Sequence, residues 1–325
     1  MIGLVLAAGK GTRMKSALPK VLHPLLGKPI LAYVIDLLHE IHVDGTVVVI
    51  GHGGDLVKKR FKSRGLDFVV QQEQRGTGDA VRCAEKCIEN RHCDVLIICG
   101  DTPLFTKETI RSFIKAHREA EHKVSILSTK LSDPTGYGRI IRDEHGGFSK
   151  IVEEKDASVE ERKVTEVNTG TYLADGKVLF ELVKGVGCDN AQGEFYLTDI
   201  VALAKEKGYP VGAFTLAAEE EAMGVNSRMQ LAMAEKVLLN RVREGHMVNG
   251  VTFSMPHTTY IEQEVIVGQD VIIGPYCVLK GQTLIEDGAT IGSFSYIKNG
   301  YVPAGSVIEP YTKIIKAGHE KDSKD

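Results

Sequence analysis

The chain has 325 residues, 43% of them apolar and 26% charged, with a net charge of −3. That length holds two domains or one large one, and the composition is that of a chain able to bury a core. A nearly neutral chain lacks the general field that draws proteins to nucleic acid or anionic lipid, and no run approaches the roughly 18 apolar residues of a membrane span. Neither is an expected partner.

Gly3 to Ala8 is a continuous apolar run, as a parallel strand covered on both faces requires. It lacks a basic leader and passes directly into a glycine loop. A buried strand is therefore expected, not a signal peptide, and with it a cytoplasmic location. The loop reads Leu6-Ala7-Ala8-Gly9-Lys10-Gly11-Thr12-Arg13-Met14. Its glycines allow backbone N–H groups close to phosphate oxygens, and Lys10 and Arg13 add cationic donors. It is not a P-loop, because Gly11 follows Lys10 and Gly3 is one residue too far back. Nor is it a dinucleotide fingerprint, whose third glycine is here Met14. The bland alternative is a tight strand-to-helix turn. In Leu18-Pro19-Lys20-Val21-Leu22, Pro19 stiffens the approach to Lys20, a point charge able to return to the same phosphates.

Helical spacing over Ile30 to Ile41 is followed by a β-branched strand, Thr46 to Ile50, a helix over Leu56 to Ser63 and a strand over Phe68 to Gln71. The polar loop Gln71 to Gly78 comes next. A side-chain amide such as that of Gln71 offers a base edge a donor and an acceptor together, with Gly76 and Thr77 holding the base in plane. The same loop also reads as a simple connector in which Thr77 or Gly78 starts the next helix, Asp79 to Glu89. Val95 to Cys99 is a second buried strand, stopped by Gly100-Asp101. Asp101 is a metal-ligand candidate, or only caps the turn or the following helix. Such alternation implies an open parallel sheet between helices, with ligands beyond the carboxyl ends of the strands, where Gly9 and Asp101 both lie. Four of the six cysteines, Cys83, Cys87, Cys93 and Cys99, cluster without paired C-x2-C spacing, so reduced thiols are expected and not a zinc site.

Ser227 to about Met247 reads as a linking helix. After Gly250, Ile261, Val267, Ile273, Leu279, Ile285, Ile291 and Ile297 recur every six residues; Val302 comes one early and Ile308 restores the step. Small or polar residues, such as Cys277, Thr283, Ala289 and Ser295, stand two before. This is the hexapeptide signature of a left-handed parallel β-helix, three short strands per coil. About nine units give about three coils, a small core for which self-association is a natural remedy. Lys316 to Asp325 reads as a polar, disordered tail.

Further segments occur in order: Asp133 to Ile140 (DPTGYGRI), Ile151 to Ala157 (IVEEKDA), Asn168-Thr169-Gly170, Gln192 to Asp199 (QGEFYLTD) and Gly224 to Arg228 (GVNSR). With the first loop, Pro19-Lys20-Val21-Leu22-His23, Gly51-His52-Gly53-Gly54 and the hexapeptides, the chain resembles the bacterial N-acetylglucosamine-1-phosphate uridyltransferase family, whose usual member also acetylates glucosamine 1-phosphate. The resemblance implies an α/β, Rossmann-like nucleotidyltransferase domain of GT-A type over 1–226, a linker helix over 227–248, a short left-handed β-helix over 249–315 and a tail over 316–325. It implies UTP and N-acetylglucosamine 1-phosphate as partners, Mg²⁺ as cofactor and a homotrimer assembled through the β-helix. Residue by residue, Leu6, Ala7, Ala8, Gly9 and Gly11 with Arg13 and Lys20 would bind the nucleotide and its phosphates. Gln71, Gly76 and Thr77 would read uracil, and Asp101 and Asn226 would hold the metal. Gly138, Glu153 and Asn168, with Tyr137 nearby, would hold the sugar. Arg13, Lys20 and Asp101 would carry catalysis. Cys99 stands where Tyr is common, and Ser227 where Asn is frequent. A bifunctional member has many more coils and a histidine base, which His257 and His319 do not match, so acetyl transfer is not expected. Rival readings are another sugar phosphate or nucleotide, and a non-catalytic regulatory or scaffold relative.

Overall fold

The computed structural model describes residues 1–88, 93–216 and 218–317. Glu89, the last residue of a predicted helix, lies outside them, as does the predicted tail from residue 318 on, His319 included. There are two compact units: Met1–His23 with Pro29–Gln230, and Pro24–Lys28 with the residues from Leu231 on.

The first unit is built on a nine-stranded sheet. In chain order its elements are β1 Ile2–Ala7, α1 Ile30–Glu40, β2 Gly45–Ile50, α2 Gly54–Phe61, β3 Asp67–Val70, α3 Thr77–Cys83, β4 Asp94–Cys99 and α4 Lys107–Glu119. Then follow β5 Val124–Lys130, β6 Arg139–Arg142, β7 Phe148–Val152, β8 Glu166–Asp175, α5 Gly176–Gly185, α6 Asp199–Glu206 and β9 Val211–Leu216. The main order is β9-β5-β8-β4-β1-β2-β3, with β6 pairing β8 and β7. Alternate residues of the central strands feed opposite faces, as the strand period of two requires. Leu4, Val47, Val49, Val95 and Ile97 enter one core; Val5, Val48, Ile50, Leu96 and Ile98 enter the other. A strand buried on both faces has no polar side to show, which is why these runs are apolar throughout.

The expectation of a parallel sheet needs correction. β1, β2, β3 and β4 are mutually parallel, but β8 runs antiparallel to both β4 and β5. Alternation of strand and helix, and with it a parallel sheet, is expected to about residue 225, but only the strands of the first hundred residues are all mutually parallel; beyond them β8 returns between β4 and β5 in the reverse direction. The predicted helix from Asp79 is also shorter, ending at Cys83 and followed by a 3₁₀ turn over Glu85–Cys87.

The second unit carries a helix, α7 Arg228–Val248, that begins just inside the first unit, and then the coils. Eleven short parallel strands stack into three ladders. Ile261 pairs Leu279 and Leu279 pairs Ile297, a rise of one coil every 18 residues. Ile297 then pairs Ile314, and Ile291 pairs Ile308, which records the early Val302 as a coil one residue short. Ile261, Ile273, Leu279, Ile285, Ile291, Ile297 and Val302 point inward and are essentially inaccessible, as are Cys277, Thr283, Ala289 and Ser295 two residues before them. The architecture is that of a hexapeptide-repeat left-handed β-helix.

Candidate active site

Strand order fixes where a ligand sits. From β1 the chain moves to β2 and β3 on one side, and β4 returns on the other side of β1. Such a reversal leaves a crevice beyond the carboxyl ends of β1 and β4. The loop after Ala7 and the turn after Cys99 line that crevice, joined where the Gly100 amide donates to the Leu6 carbonyl (2.9 Å).

Within the loop the glycines do different things. A Cβ on Gly9 would meet nothing within 4 Å, and its backbone is not left-handed. Gly11 has φ +62°, and its Cβ would stand 2.8 Å from Lys20 Cβ. Gly11 therefore lets the loop turn and lets Lys20 close on it. The 3₁₀ turn Thr12–Met14 is pinned by buried Met14 and by Arg228, whose Nε donates to the Met14 carbonyl (3.2 Å). Burial and the Arg228 charge lower the pKa of His23, whose Nδ1 lies 3.3 Å from Arg228 Nη1.

Two cavities open on the crevice. One of about 410 Å³ is lined by Leu6, Ala7, Ala8, Gly9, Lys20, Gln71, Gly76, Thr77 and Asp101, among others. The other, about 230 Å³, is lined by Tyr137, Gly138, Glu153, Asn168, Asp101 and Asn226, among others. Leu6, Thr77, Cys99 and Asp101 line both. Of the residues singled out in the sequence, only Gly11 and Arg13 are on neither wall. Gly11 lies beneath Lys20. Arg13 is exposed on the 3₁₀ turn, and its charge is felt by the Tyr137 phenol of the second cavity, which burial pushes upward.

At the junction the Lys20 ammonium pairs with Asp101 and donates to Asn226 Oδ1 (2.8 Å). Val225 donates its amide to the Asp101 carbonyl (2.8 Å), which ties the Asn226 segment to the β4 turn. Asp101 is thus no helix cap; the cap of α4 is Thr106, whose hydroxyl accepts from the Thr109 amide.

On the first wall, Gln71 is buried and its amide NH₂ donates to the Gly76 carbonyl (3.0 Å) and Asp79 Oδ2 (2.8 Å). The expectation of a donor and an acceptor together is thereby narrowed: the NH₂ is committed, and the amide oxygen is what Gln71 offers. Gly76, at φ +108°, lies against Phe195, whose nitrogen would be 2.8 Å from a Cβ there. Thr77 Oγ1 accepts from the Leu197 amide (3.1 Å).

On the second wall, β8 bulges between Asn168 and Thr171, with Gly170 at φ +77°. Bulges re-aim side chains beside sites. Asn168 is held on both amide atoms, accepting from the Gly170 amide (2.9 Å) and donating to the Tyr172 hydroxyl (2.7 Å). Thr198 donates to Glu153 Oε1 (3.3 Å). Burial pushes the Glu153 carboxyl up, with the charges of Asp199, Asp156 and Glu194 adding to it. Arg139, itself buried, pairs with Glu154 (2.7 Å) and donates to the Tyr137 carbonyl, fixing the strip that carries Gly138.

Several wall residues were missed. Glu194 and Thr198 fall within the QGEFYLTD segment, so a signal existed; Tyr172 and Cys99 had none as site residues. Burial, with the Asp101 charge, pushes the Cys99 thiol up to about 12, so it stays protonated and is no nucleophile. None of the six cysteines, all of them described, is in a disulfide, and no helix among the described residues is long and apolar enough to cross a membrane.

A glycine loop and an acidic turn at the switch point, two adjoining cavities and a hexapeptide solenoid define a nucleotidyltransferase-type fold with an appended β-helix. In agreement, residues 3–154 match the family described as MobA-like NTP transferase domain, and residues 264–299 match the bacterial transferase hexapeptide (six repeats). The bifunctional protein GlmU of Halalkalibacterium halodurans is 45% identical over 299 residues, 92% of this chain and 66% of that protein. GlmU of an Exiguobacterium species is 44% identical over 305 residues, covering 94% and 67%, and that of Clostridium botulinum (strain Langeland) is 45% identical over 306 residues with the same coverage. The chain belongs to the GlmU family and spans about two thirds of the length of these relatives.

Proposed function

We propose that the first unit transfers a uridylyl group from UTP to N-acetylglucosamine 1-phosphate, giving UDP-N-acetylglucosamine and diphosphate. The observation that carries the reading is the convergence of Lys20, Asp101 and Asn226 where the two cavities meet. One cavity would hold the nucleotide and the other the sugar, so the α-phosphorus would lie at that junction. An oxygen of the sugar phosphate attacks it, and the bond to the β-phosphate oxygen breaks as diphosphate leaves. The attacking phosphate is already ionised near neutral pH. Positioning and charge neutralisation then suffice, with no general base.

The residues fit Mg²⁺. Asp101 and Asn226 already turn an oxygen each toward one cation, the Lys20 ammonium, and Mg²⁺ commonly takes one or two protein oxygens with phosphates and water. When bound it would neutralise charge gathering on the α-phosphate. Lys20 and Arg13 would hold phosphate oxygens, and Gly9 would leave room for them. The Gln71 amide oxygen would accept the N3–H of uracil; cytosine has an acceptor at that position, which disfavours CTP. Glu153 would accept sugar hydroxyls, and the fixed Asn168 and the Gly138 strip would set the sugar's place.

The wider reading includes a cytoplasmic enzyme assembled as a homotrimer through the solenoid. Exposed Ile266, Leu284 and Tyr301 on one ladder, and Ile272 and Val307 on another, supply apolar surface for that. For residues 249–317 taken by themselves, we propose no acetyl transfer. Their one histidine, His257, lies in a 3₁₀ turn between the first two strands of the first coil, Thr252–Phe253 and Tyr260–Ile261. Diphosphate release over a panel of nucleoside triphosphates and sugar 1-phosphates tests the main reading. UTP with N-acetylglucosamine 1-phosphate should give the fastest release; another preferred pair, or none, would overturn it. Thiol release from acetyl-CoA and light scattering test the other two.

A further inference from the structure

We propose that Lys20 stands in for the metal in the free site, so that the site takes its divalent cation only as a complex with the nucleoside triphosphate and not as the free ion. This rests on the uridylyl-transfer reading and on the geometry of three side chains.

The ammonium of Lys20 is held by the same two oxygens that would ligate the metal, the Asp101 carboxylate and Asn226 Oδ1. One point between two oxygens cannot hold both an ammonium and a divalent ion. The pair is also largely removed from water, with the Lys20 side chain 12% and that of Asp101 16% exposed. A free ion entering would have to evict the ammonium. It would leave that charge half-buried without its counter-ion and beside a new double positive charge. Little would offset this: among the described residues the other carboxylates lining the two cavities are Glu194 and Glu153, each on a separate segment and neither paired with Lys20.

A metal–nucleotide complex changes the balance. Lys20 lines the nucleotide cavity, so arriving phosphates supply the displaced ammonium with new anionic partners. The move is short and confined to the side chain. Lys20 Cβ is packed under Gly11, close enough to exclude a Cβ there, and Lys20 opens the 3₁₀ turn Lys20–Leu22 behind the rigid Pro19. The backbone stays while the four-carbon stem swings. Lys20 is therefore an internal cation in the free state and a phosphate ligand in the loaded one. The metal comes in with its nucleotide.

The probe is Mn²⁺ alone, added to the full chain without nucleotide, with free Mn²⁺ read from its electron paramagnetic resonance signal. Lys20→Met removes the ammonium and leaves both oxygens. The variant should bind one Mn²⁺ at least about tenfold more tightly than wild type, and the gain should vanish in Lys20→Met/Asp101→Ala. Circular dichroism verifies the fold, and Lys20→Gln repeats the test should the methionine variant not fold. Equal Mn²⁺ binding by wild type and both Lys20 variants would overturn the proposal. So would a gain that survives loss of Asp101. Calorimetry of wild type with preformed Mn–UTP separates this from the function beneath it. Heat of binding there with no gain in the Lys20 variants sinks only the stand-in role, whereas no binding of Mn–UTP sinks both.

Discussion

Glycine is used in opposite ways in the two units. In the solenoid, Gly268 and Gly274 have ordinary backbone angles, but a Cβ would press into the next coil, 2.7 Å from the Asp287 nitrogen and 2.8 Å from the Ser293 nitrogen. These glycines exist so that chain can stack on chain. In the loop after β1, Gly9 has no left-handed backbone, and a Cβ there would meet nothing within 4 Å. Nothing in the fold asks for it, and the open space it faces belongs to a cavity wall. Periodic packing accounts for the solenoid's inward positions, whereas packing gives no reason for Gly9.

That contrast breaks most visibly at Asp101. Asp101→Ala should lower turnover by about 10²–10³-fold, the usual consequence of losing a group that positions charge in the transition state. The fold should persist, because the strand before it is secured by Leu96, Ile97 and Ile98 in two cores. Diphosphate release at saturating Mg²⁺ and a thermal melt measure both; near-normal turnover would remove Asp101 from the chemistry. The solenoid counterpart is Gly274→Ala. It should destabilise the second unit by about 1–3 kcal/mol, as overpacking does, and leave turnover per folded molecule unchanged. A melt unchanged by this substitution would show that the coils are not closely stacked.

How much was legible follows the same division. Inward solenoid positions came directly from the six-residue period, and even the early Val302 appears as a short coil. The strands that carry the site were legible as apolar runs, and so was the loop. What escaped was whatever the sheet creates by bringing distant segments together. β8 lies between β4 and β5 in the reverse direction, so Tyr172 and Cys99 face one cavity from positions with no common motif. Gln71 was legible as a residue of the site, and it does line the first cavity, but the commitment of its NH₂ to Asp79, eight residues on, was not, since it depends on how α3 starts. Arg13 was legible as a cationic donor of the loop, but not its exposed place on a 3₁₀ turn, outside the lining of both cavities.

Gly9→Ala sharpens the comparison at smaller scale. A methyl there meets open space, so stability should stay within about 0.5 kcal/mol. If phosphate oxygens come close to the loop, the nucleotide KM should rise about tenfold while turnover at saturation changes little, the signature of lost binding common to ground and transition states. An unchanged KM would place the phosphates elsewhere.

The smallest effect concerns carboxylates. In the solenoid, acidic side chains accept from backbone amides: Asp287 from Gln269 (2.8 Å) and Glu286 from Ala304 (3.0 Å). Glu153 accepts from the Thr198 hydroxyl and, among the described residues, from no backbone amide, and burial followed by neighbouring negative charge raises its pKa. A carboxyl whose folded pKa is above its unfolded one contributes stability fully only below the unfolded value. It loses that contribution as pH rises through the folded value. Glu153→Gln removes the ionisation and keeps the shape. Relative to this variant, wild type should therefore become progressively less stable as pH rises from the ordinary carboxylate range, about pH 4, toward neutrality. Melting temperatures of wild type and Glu153→Gln across that range test the sign, and a flat difference would mean that the carboxyl is better solvated than its surroundings imply. If ionised Glu153 receives the sugar's hydroxyls, the same variant should raise the KM for the sugar phosphate. The destabilised carboxylate would then be a group that the fold tolerates because the ligand completes it.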